Sequence, residues 1–415
     1  MKIGYACLVM GVNKVDFKSC QLKNLNNERL ITIIKHNLEV LERIIDYNIE
    51  NDIKLFRITS DLIPFGSSPV NKINWWDQFQ KEFFLIGEKI KTSKMRVSMH
   101  PGQYTIINSL SQEVVYRAID DLKYHARVLE SLGLDNKHKI ILHLGGVYND
   151  KKEAMKRFIN NFYLIDEKIR KRIVIENDDK LYNINEVLEI GLTLNIPVVF
   201  DTLHHEVLPS NDEKKLKEWI DECRKTWKKE DGIPKIHYSQ QDREKKPGAH
   251  SKTIDLKTFL TFVTKIDDDI DIMLEVKDKN LSTIKCLNGL NHYPERLKKE
   301  WNKYKYKVLE CDALIYEKIN LLLSNDDQYP VVEFYHLIDE ALAKPIDINN
   351  AITSAFLLWS NLENIVTDKE KKRLLKNVDD VKSGKISINR FKKFIWILTN
   401  KYNCQEIIKS YYFYL

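Results

Sequence analysis

The chain has 415 residues, 43% of them hydrophobic and 30% charged. That length suits two to three domains, and the composition supports packed cores and excludes wholesale disorder. The net charge of +6 permits a polyanionic partner without demanding one. No run approaches the ~18 uninterrupted apolar residues of a spanning helix. The apolar N-terminus reads as a strand rather than a secretion signal. Six scattered cysteines without a CxxC pair point to a reduced, cytoplasmic protein with no structural zinc knot.

Eight short apolar, β-branched runs recur along the first part of the chain: Lys2–Ala6, Ile53–Thr59, Met95–Met99, Ile140–Leu144, Arg172–Asn177, Pro197–Asp201, Lys235–Ser239 and Ile270–Val276. Helical patterns lie between them, at Asn27–Asn51, Trp75–Lys91, Gln112–Leu132, Lys151–Lys168, Asn183–Asn195, Asp212–Lys228 and Asp255–Ile266. Strict strand–helix alternation implies parallel strands with right-handed crossovers. Eight units predict an α/β protein, a (β/α)8 TIM barrel, over residues 1–295, with a doubly wound open sheet as the competing arrangement. Beyond that the pattern changes. Glu295–Leu323 reads as one long amphipathic stretch, and the chain to Leu415 is helical, punctuated by Pro330, Pro345 and Gly384. Residues 296–415 are therefore expected to form an all-α C-terminal extension.

Each strand run stays apolar until its last residues, where a metal-ligand type appears: His100, His143, Glu176, Asp201, His237 and Glu275. His204 and His250 follow on adjoining loops. In a barrel the C-terminal strand ends all open onto one mouth. Carboxylates buried together there would be costly without cations. Five histidines and three carboxylates exceed what one tetrahedral ion needs, so two or three divalent ions fit better, with Glu176 and Asp201 as bridges. The mixed nitrogen and oxygen set fits Zn²⁺ or Mn²⁺ and argues against Mg²⁺ alone; Mn²⁺ is expected first, with Zn²⁺, Co²⁺ or Mg²⁺ as alternatives. One histidine so placed is more often a satisfied structural residue than a ligand; six strand ends in phase are a different matter. His36, His125, His138, His292 and His336 fall in helical or surface contexts and read as structural. His205 is ambiguous, and the spacing to Asp201 favours His204.

At these residues the sequence resembles the UV damage endonucleases (UvdE type), relatives of endonuclease IV among the xylose-isomerase-like barrels. The matching segments include FRITSDLIPFGSSP (56–69), MHPGQY (99–104), HLGGVYNDK (143–151), IENDD (175–179), VFDTLHHEVLP (199–209), KIHYS (235–239) with His250, and LEVKDKN (274–280). The resemblance implies a metal-dependent repair enzyme acting on damaged duplex DNA, a cytoplasmic monomer that meets the nucleoid during repair. It implies nicking immediately 5′ to cyclobutane dimers and 6-4 photoproducts, and at some abasic sites, leaving a 3′-hydroxyl and a 5′-phosphate. It carries metal roles to the eight donors above. It implies catalytic roles for Glu176, Lys235, His237 and Glu275, Lys235 being a lysine that the family can carboxylate. Gln103 and Tyr104 match residues that wedge into DNA at the lesion, and Tyr5 a further lesion-side aromatic. Ser68 stands where many members carry His, Val9 where some carry Asn, and Leu144 where Pro is common. Tyr304–Leu323 and Lys344–Leu415, notably TDKEKKRLLKNVDDVKSGKISI (367–388), look like a bacterial helical module of unknown function.

Pro101 disfavours helix at His100, and Gly102 allows a tight turn that would present Gln103 and Tyr104 beyond the rim. An aromatic wedge can fill the gap left by an unstacked dinucleotide, and a crosslinked dimer is already poorly stacked. The REKK run (243–246) near the mouth could meet phosphates, although a solvated charge run is the simpler account. An abasic-site endonuclease of the endonuclease IV type and a metal-dependent sugar isomerase remain as alternatives on the same barrel.

Overall fold

The computed structural model describes residues 1–267, 269–324 and 329–415. Eight parallel strands close a ring in chain order: β1 (Ile3–Ala6), β2 (Leu55–Ile58), β3 (Arg96–Met99), β4 (Ile140–Leu142), β5 (Ile173–Glu176), β6 (Val198–Asp201), β7 (Lys235–Tyr238) and β8 (Asp271–Leu274). Closure is made by β8 beside β1, with Tyr5 opposite Leu274. Every strand lies inside its predicted run. All strand residues are buried, which is why the runs read as continuous apolar segments: barrel strands are covered on both faces. Ile141, Val174 and Val199, facing inward on three adjacent strands, pack with Trp227.

The helices form the outer layer. Asn27–Glu50 begins on Asn26, whose side chain accepts the Arg29 N–H, and buries Leu30, Ile34, Leu38, Leu41 and Ile45 at helical spacing. Several predicted helices prove interrupted. Trp75–Lys91 divides at Phe79 into Trp75–Gln78 and Gln80–Thr92, and Lys151–Lys168 into Lys151–Phe162 and Glu167–Arg170. A short helix that the sequence did not announce, Thr202–Val207, follows β6 directly, and the Asp201 carboxylate caps it.

By contacts the chain divides into two units. The first comprises residues 1–9, 14–254 and 261–284, and the second residues 10–13, 255–260 and 285–415. The C-terminal part of the second is helical among the described residues, with Pro294–Cys311, Ala313–Leu322, Val331–Leu342, Ile348–Trp359, Asp368–Lys382 and Ile388–Lys401 as its main helices. The single stretch expected over Glu295–Leu323 is broken at Asp312. That residue is extended (φ −156°, ψ 111°), and its side chain accepts the Ile315 N–H, so the amphipathic pattern continues through two helices. Leu358, Leu362, Ile395 and Tyr412 are fully buried in the core of this unit. No helix among the described residues is long and apolar enough to cross a membrane.

Candidate metal centre

The polar ends of the inner strand faces meet at the C-terminal mouth of the ring around Glu176, which is 1% exposed. Its Oε1 lies 2.5 Å from His237 Nδ1 and 3.9 Å from His204 Nδ1. Its Oε2 lies 3.2 Å from His100 Nε2 and 3.7 Å from His143 Nε2. Glu275 Oε1 is 3.4 Å from His237 Nδ1, and its Oε2 is 3.9 Å from His250 Nε2. Asp201 completes the set, with donor atoms of Glu176, Asp201, His237 and Glu275 all within 4.8 Å of one another. All eight predicted ligands therefore converge. His205 does not: it packs beside Phe200 and Trp219, with ring centroids 5.2 and 6.0 Å away.

Backbone carbonyls set the imidazoles. His100 Nδ1–H donates to the Pro101 carbonyl at 3.0 Å and His204 Nδ1–H to the Asn177 carbonyl at 2.8 Å. Each bond fixes its ring, the support usual for a ligating histidine; His100 Nε2 faces Glu176 Oε2, and against burial Asp201 and Glu176 raise the His204 pKa to about 9. Asn177 also brackets Asp201, donating to its carbonyl at 3.1 Å and accepting its N–H at 2.9 Å. The short helix after β6 places His204 one turn beyond Asp201, whose Oδ1 accepts the His204 N–H at 2.8 Å.

The electrostatics are those of a site built for cations. Burial raises the Glu176 pKa, but His237, His100 and His143 outweigh it and hold the carboxyl well below its usual range. Burial likewise works against Glu275, and Arg57 and His237 bring it far down. Asp201 is pushed up to about 8, chiefly by burial, with Glu176 and Glu275 adding to the rise against His204. Among the described residues its Oδ2 is buried without a hydrogen-bond partner, as is His143 Nδ1. A buried carboxylate with an orphaned oxygen, ringed by imidazoles, is the situation that a bound cation relieves. The donor set thus fits divalent ions.

The rim is built differently. The Thr105 N–H donates to the Gly102 carbonyl at 2.9 Å, closing a turn, and Thr105 Oγ1 anchors it to Asp121 at 2.7 Å. Gln103 and Tyr104 stand exposed at its apex, Tyr104 at 69%. A Cβ on Gly102 would lie 2.4 Å from the Tyr104 ring, so the absent side chain is what lets the ring lie there.

Residues 1–305 match the family model described as UV-endonuclease UvdE. The chain belongs to that family. A curated relative, the UV DNA damage endonuclease of Clostridium perfringens (strain 13 / Type A), is 40% identical over 405 residues, covering 95% of this chain and 97% of the relative. The UV DNA damage endonuclease of Bacillus cereus (strain 03BB102) is 33% identical over 302 residues, 70% of this chain and 95% of its own length. Among solved structures, the crystal structure of SacUVDE is 40% identical and superposes with a TM-score of 0.66, over 70% of this chain and 98% of that one. Residues 305–415 match a second model, described as a protein of unknown function (DUF1722).

Two residues of this UvdE-family barrel differ from the sequence expectation. Tyr5, expected on the lesion side, is 0% exposed; its hydroxyl donates to Asn48 on the helix Asn27–Glu50 at 2.7 Å and its ring packs on Phe56 at 5.1 Å. It lies in the layer between strand and helix, where the two-residue alternation of β1 aims it, and does not reach the mouth. Arg57 was missed. It is buried at the middle of β2, and Nη2 donates to Glu275 Oε1 at 2.5 Å and to His237 Nε2 at 3.0 Å. The signal was available: a lone cation inside the apolar run LFRI. Lys235, 2% exposed, sits on the same face of β7 as His237, and among the described residues its ammonium makes no ion pair. Burial first, then Arg96 and Arg57, hold its pKa well below the usual lysine range. Ser68 is half-buried in the loop after β2, and Leu144 is buried beyond β4.

Proposed function

We propose that this chain is a metal-dependent UV damage endonuclease that nicks duplex DNA immediately 5′ to cyclobutane dimers and 6-4 photoproducts, and at abasic sites, leaving a 3′-hydroxyl and a 5′-phosphate. The observation that carries it is the gathering of eight imidazole and carboxyl donors about Glu176 and Glu275, on a barrel of the UV-endonuclease family. The 40% identity to a UV DNA damage endonuclease along nearly the whole chain supports the same reading. The chemistry is assigned to residues 1–295, with residues 296–415 as a separate helical module.

His100, His143, Glu176, Asp201, His204, His237, His250 and Glu275 would hold two or three divalent ions, Mn²⁺ foremost. Such ions supply Lewis-acid relief of the charge that builds on a phosphoryl group and acidify water near neutral pH. The chain's own residues do the rest. Glu176 and Asp201 would serve as ligands shared between the ions, while Arg57 steadies Glu275 and His237, and the carbonyls of Pro101 and Asn177 fix two imidazoles. Catalytic roles fall to Glu176, Lys235, His237 and Glu275. The depressed Lys235 ammonium supports carboxylation of that lysine, since only the neutral amine takes up carbon dioxide. Gln103 and Tyr104 fill the gap beside an unstacked lesion, a selection by deformability that needs no base-specific hydrogen bonds. The protein acts as a cytoplasmic monomer on damaged DNA at the nucleoid.

The test is a nicking assay on end-labelled duplexes carrying one thymine dimer or one abasic site, with Mn²⁺ or with EDTA. The expected result is a single cut 5′ to the dimer whose 3′ end a polymerase extends. EDTA and Glu176→Ala should each reduce it to background. Cutting that survives both would defeat the metal-centre assignment, and cutting at the abasic site alone would favour an abasic-site endonuclease.

A further inference from the structure

A second concave region lies at the opposite end of the ring, where strands begin. Lys2 precedes β1, Met95 precedes β3 and Pro234 precedes β7, and all line one cavity of about 830 Å³. Sites for small molecules span ~300–1,000 Å³. None of the eight metal-centre donors contributes to it. Its wall is partly apolar: Ile233 is exposed and Pro234 half-buried, while Met95 and Trp227 are buried at its edge.

Its charge is one-sided. Two of the wall's three carboxylates are paired with arginines, Asp271 with Arg96 at 3.1 Å and Asp269 with Arg224, while Asp135 accepts the backbone N–H of Lys137 at 3.0 Å and keeps its charge. The ammonium groups of Lys94, Lys137, Lys228 and Lys229 form no ion pair among the described residues, and all four are exposed. Burial lowers the Lys2 pKa, Asp271 works against it, and Arg96, Lys54 and Lys94 lower it further. Cations in the last turn of a helix offset its dipole, which accounts for Lys91 and Arg224. That effect fades beyond the last turn and leaves Lys2, Lys94 and Lys137 unexplained.

We propose that this cavity binds a nucleotide, its phosphates among Lys94, Lys137, Lys228 and Lys229 and its base against the accessible apolar surface of Ile233 and Pro234. A phosphate alone would leave that wall unused, and a duplex engaged at the mouth lies at the far end of the ring. The site is independent of the metal centre and acts without competing for it.

The test is calorimetric titration of the full chain, as purified and at low ionic strength, with ATP, pyrophosphate, adenosine and a short undamaged duplex. ATP is expected to bind saturably, one per chain, and more tightly than pyrophosphate or adenosine. The double variant Lys94→Glu/Lys137→Glu should weaken ATP binding by about tenfold or more while keeping the melting temperature and the nicking activity. Lys228→Glu/Lys229→Glu should do the same from the other side of the cavity. Absence of saturable ATP binding, ATP affinity unchanged in both variants, or pyrophosphate matching ATP overturns the proposal. So does a loss of duplex binding in step with ATP binding, which would assign these lysines to DNA.

Discussion

At the scale of single residues, the centre depends on groups that touch no ion as much as on those that would. Arg57 holds Glu275 and His237 at once, so Arg57→Ala removes the partner that fixes two donors. Loss of a supporting contact of this kind costs ~10–100-fold in metal affinity or activity. Titrating Mn²⁺ into apo protein, followed by nicking rates at saturating metal, separates the two effects. The rim makes an independent prediction. Gly102→Ala would push a methyl to 2.4 Å from the Tyr104 ring and displace it. It should lower the preference for damaged over intact duplex as Tyr104→Ala does, with metal binding unchanged. Equal binding to both duplexes by the parent chain, measured by fluorescence anisotropy, would remove the wedge.

Six of the eight candidate donors were legible because each closes an apolar run or follows it directly, and His204 and His250 because they stand on the loops that adjoin two of those runs. Arg57 carried the same mark but sat mid-strand, where a cation reads as an edge or surface residue until the ring is known to be closed. Tyr5 was placed by resemblance alone. The alternation of β1, which buries Gly4, Tyr5 and Ala6 on alternate faces, already pointed its ring toward the helices.

At the scale of elements, strands were easier to read than helix ends. Burial on both faces writes a strand as a block, whereas a helix can break without disturbing its apolar rhythm. Leu309, Ile315 and Ile319 are buried on both sides of the Asp312 break, and only the cap geometry reveals the interruption. Asp312 accepts the Ile315 N–H at 2.8 Å and the Lys344 ammonium at 2.7 Å. Replacing it with Ala is expected to destabilise the helical part by ~1 kcal/mol, read as a lower denaturant midpoint while nicking is retained. The unannounced helix Thr202–Val207 has the converse lesson: six residues are too few to show a period, yet this turn is what brings His204 to Glu176.

At the scale of the whole molecule, stability carries a pH signature unrelated to the metals. His138 Nδ1 accepts the Val97 N–H at 3.0 Å, which requires the neutral ring. Burial, aided by Arg96 and Arg172 against Asp135, lowers its pKa to about 4. The unfolded chain therefore binds the extra proton between about pH 6.5 and about pH 4, and the folded chain does not. This contribution is whole above pH 6.5 and is lost as pH falls through 4, a span of about 3 kcal/mol. Chemical denaturation across that window should show a shallower pH slope in His138→Ala than in the parent chain.

The closed ring also sets when ions can be taken up. The donors are scattered from residue 100 to residue 275 over six strands, and no two neighbours in the chain form a chelate beyond Asp201 and His204. A nascent or half-assembled chain presents isolated imidazoles with little grip on any ion. Loading would thus be a terminal event of assembly, and a tightly held ion would certify a finished ring.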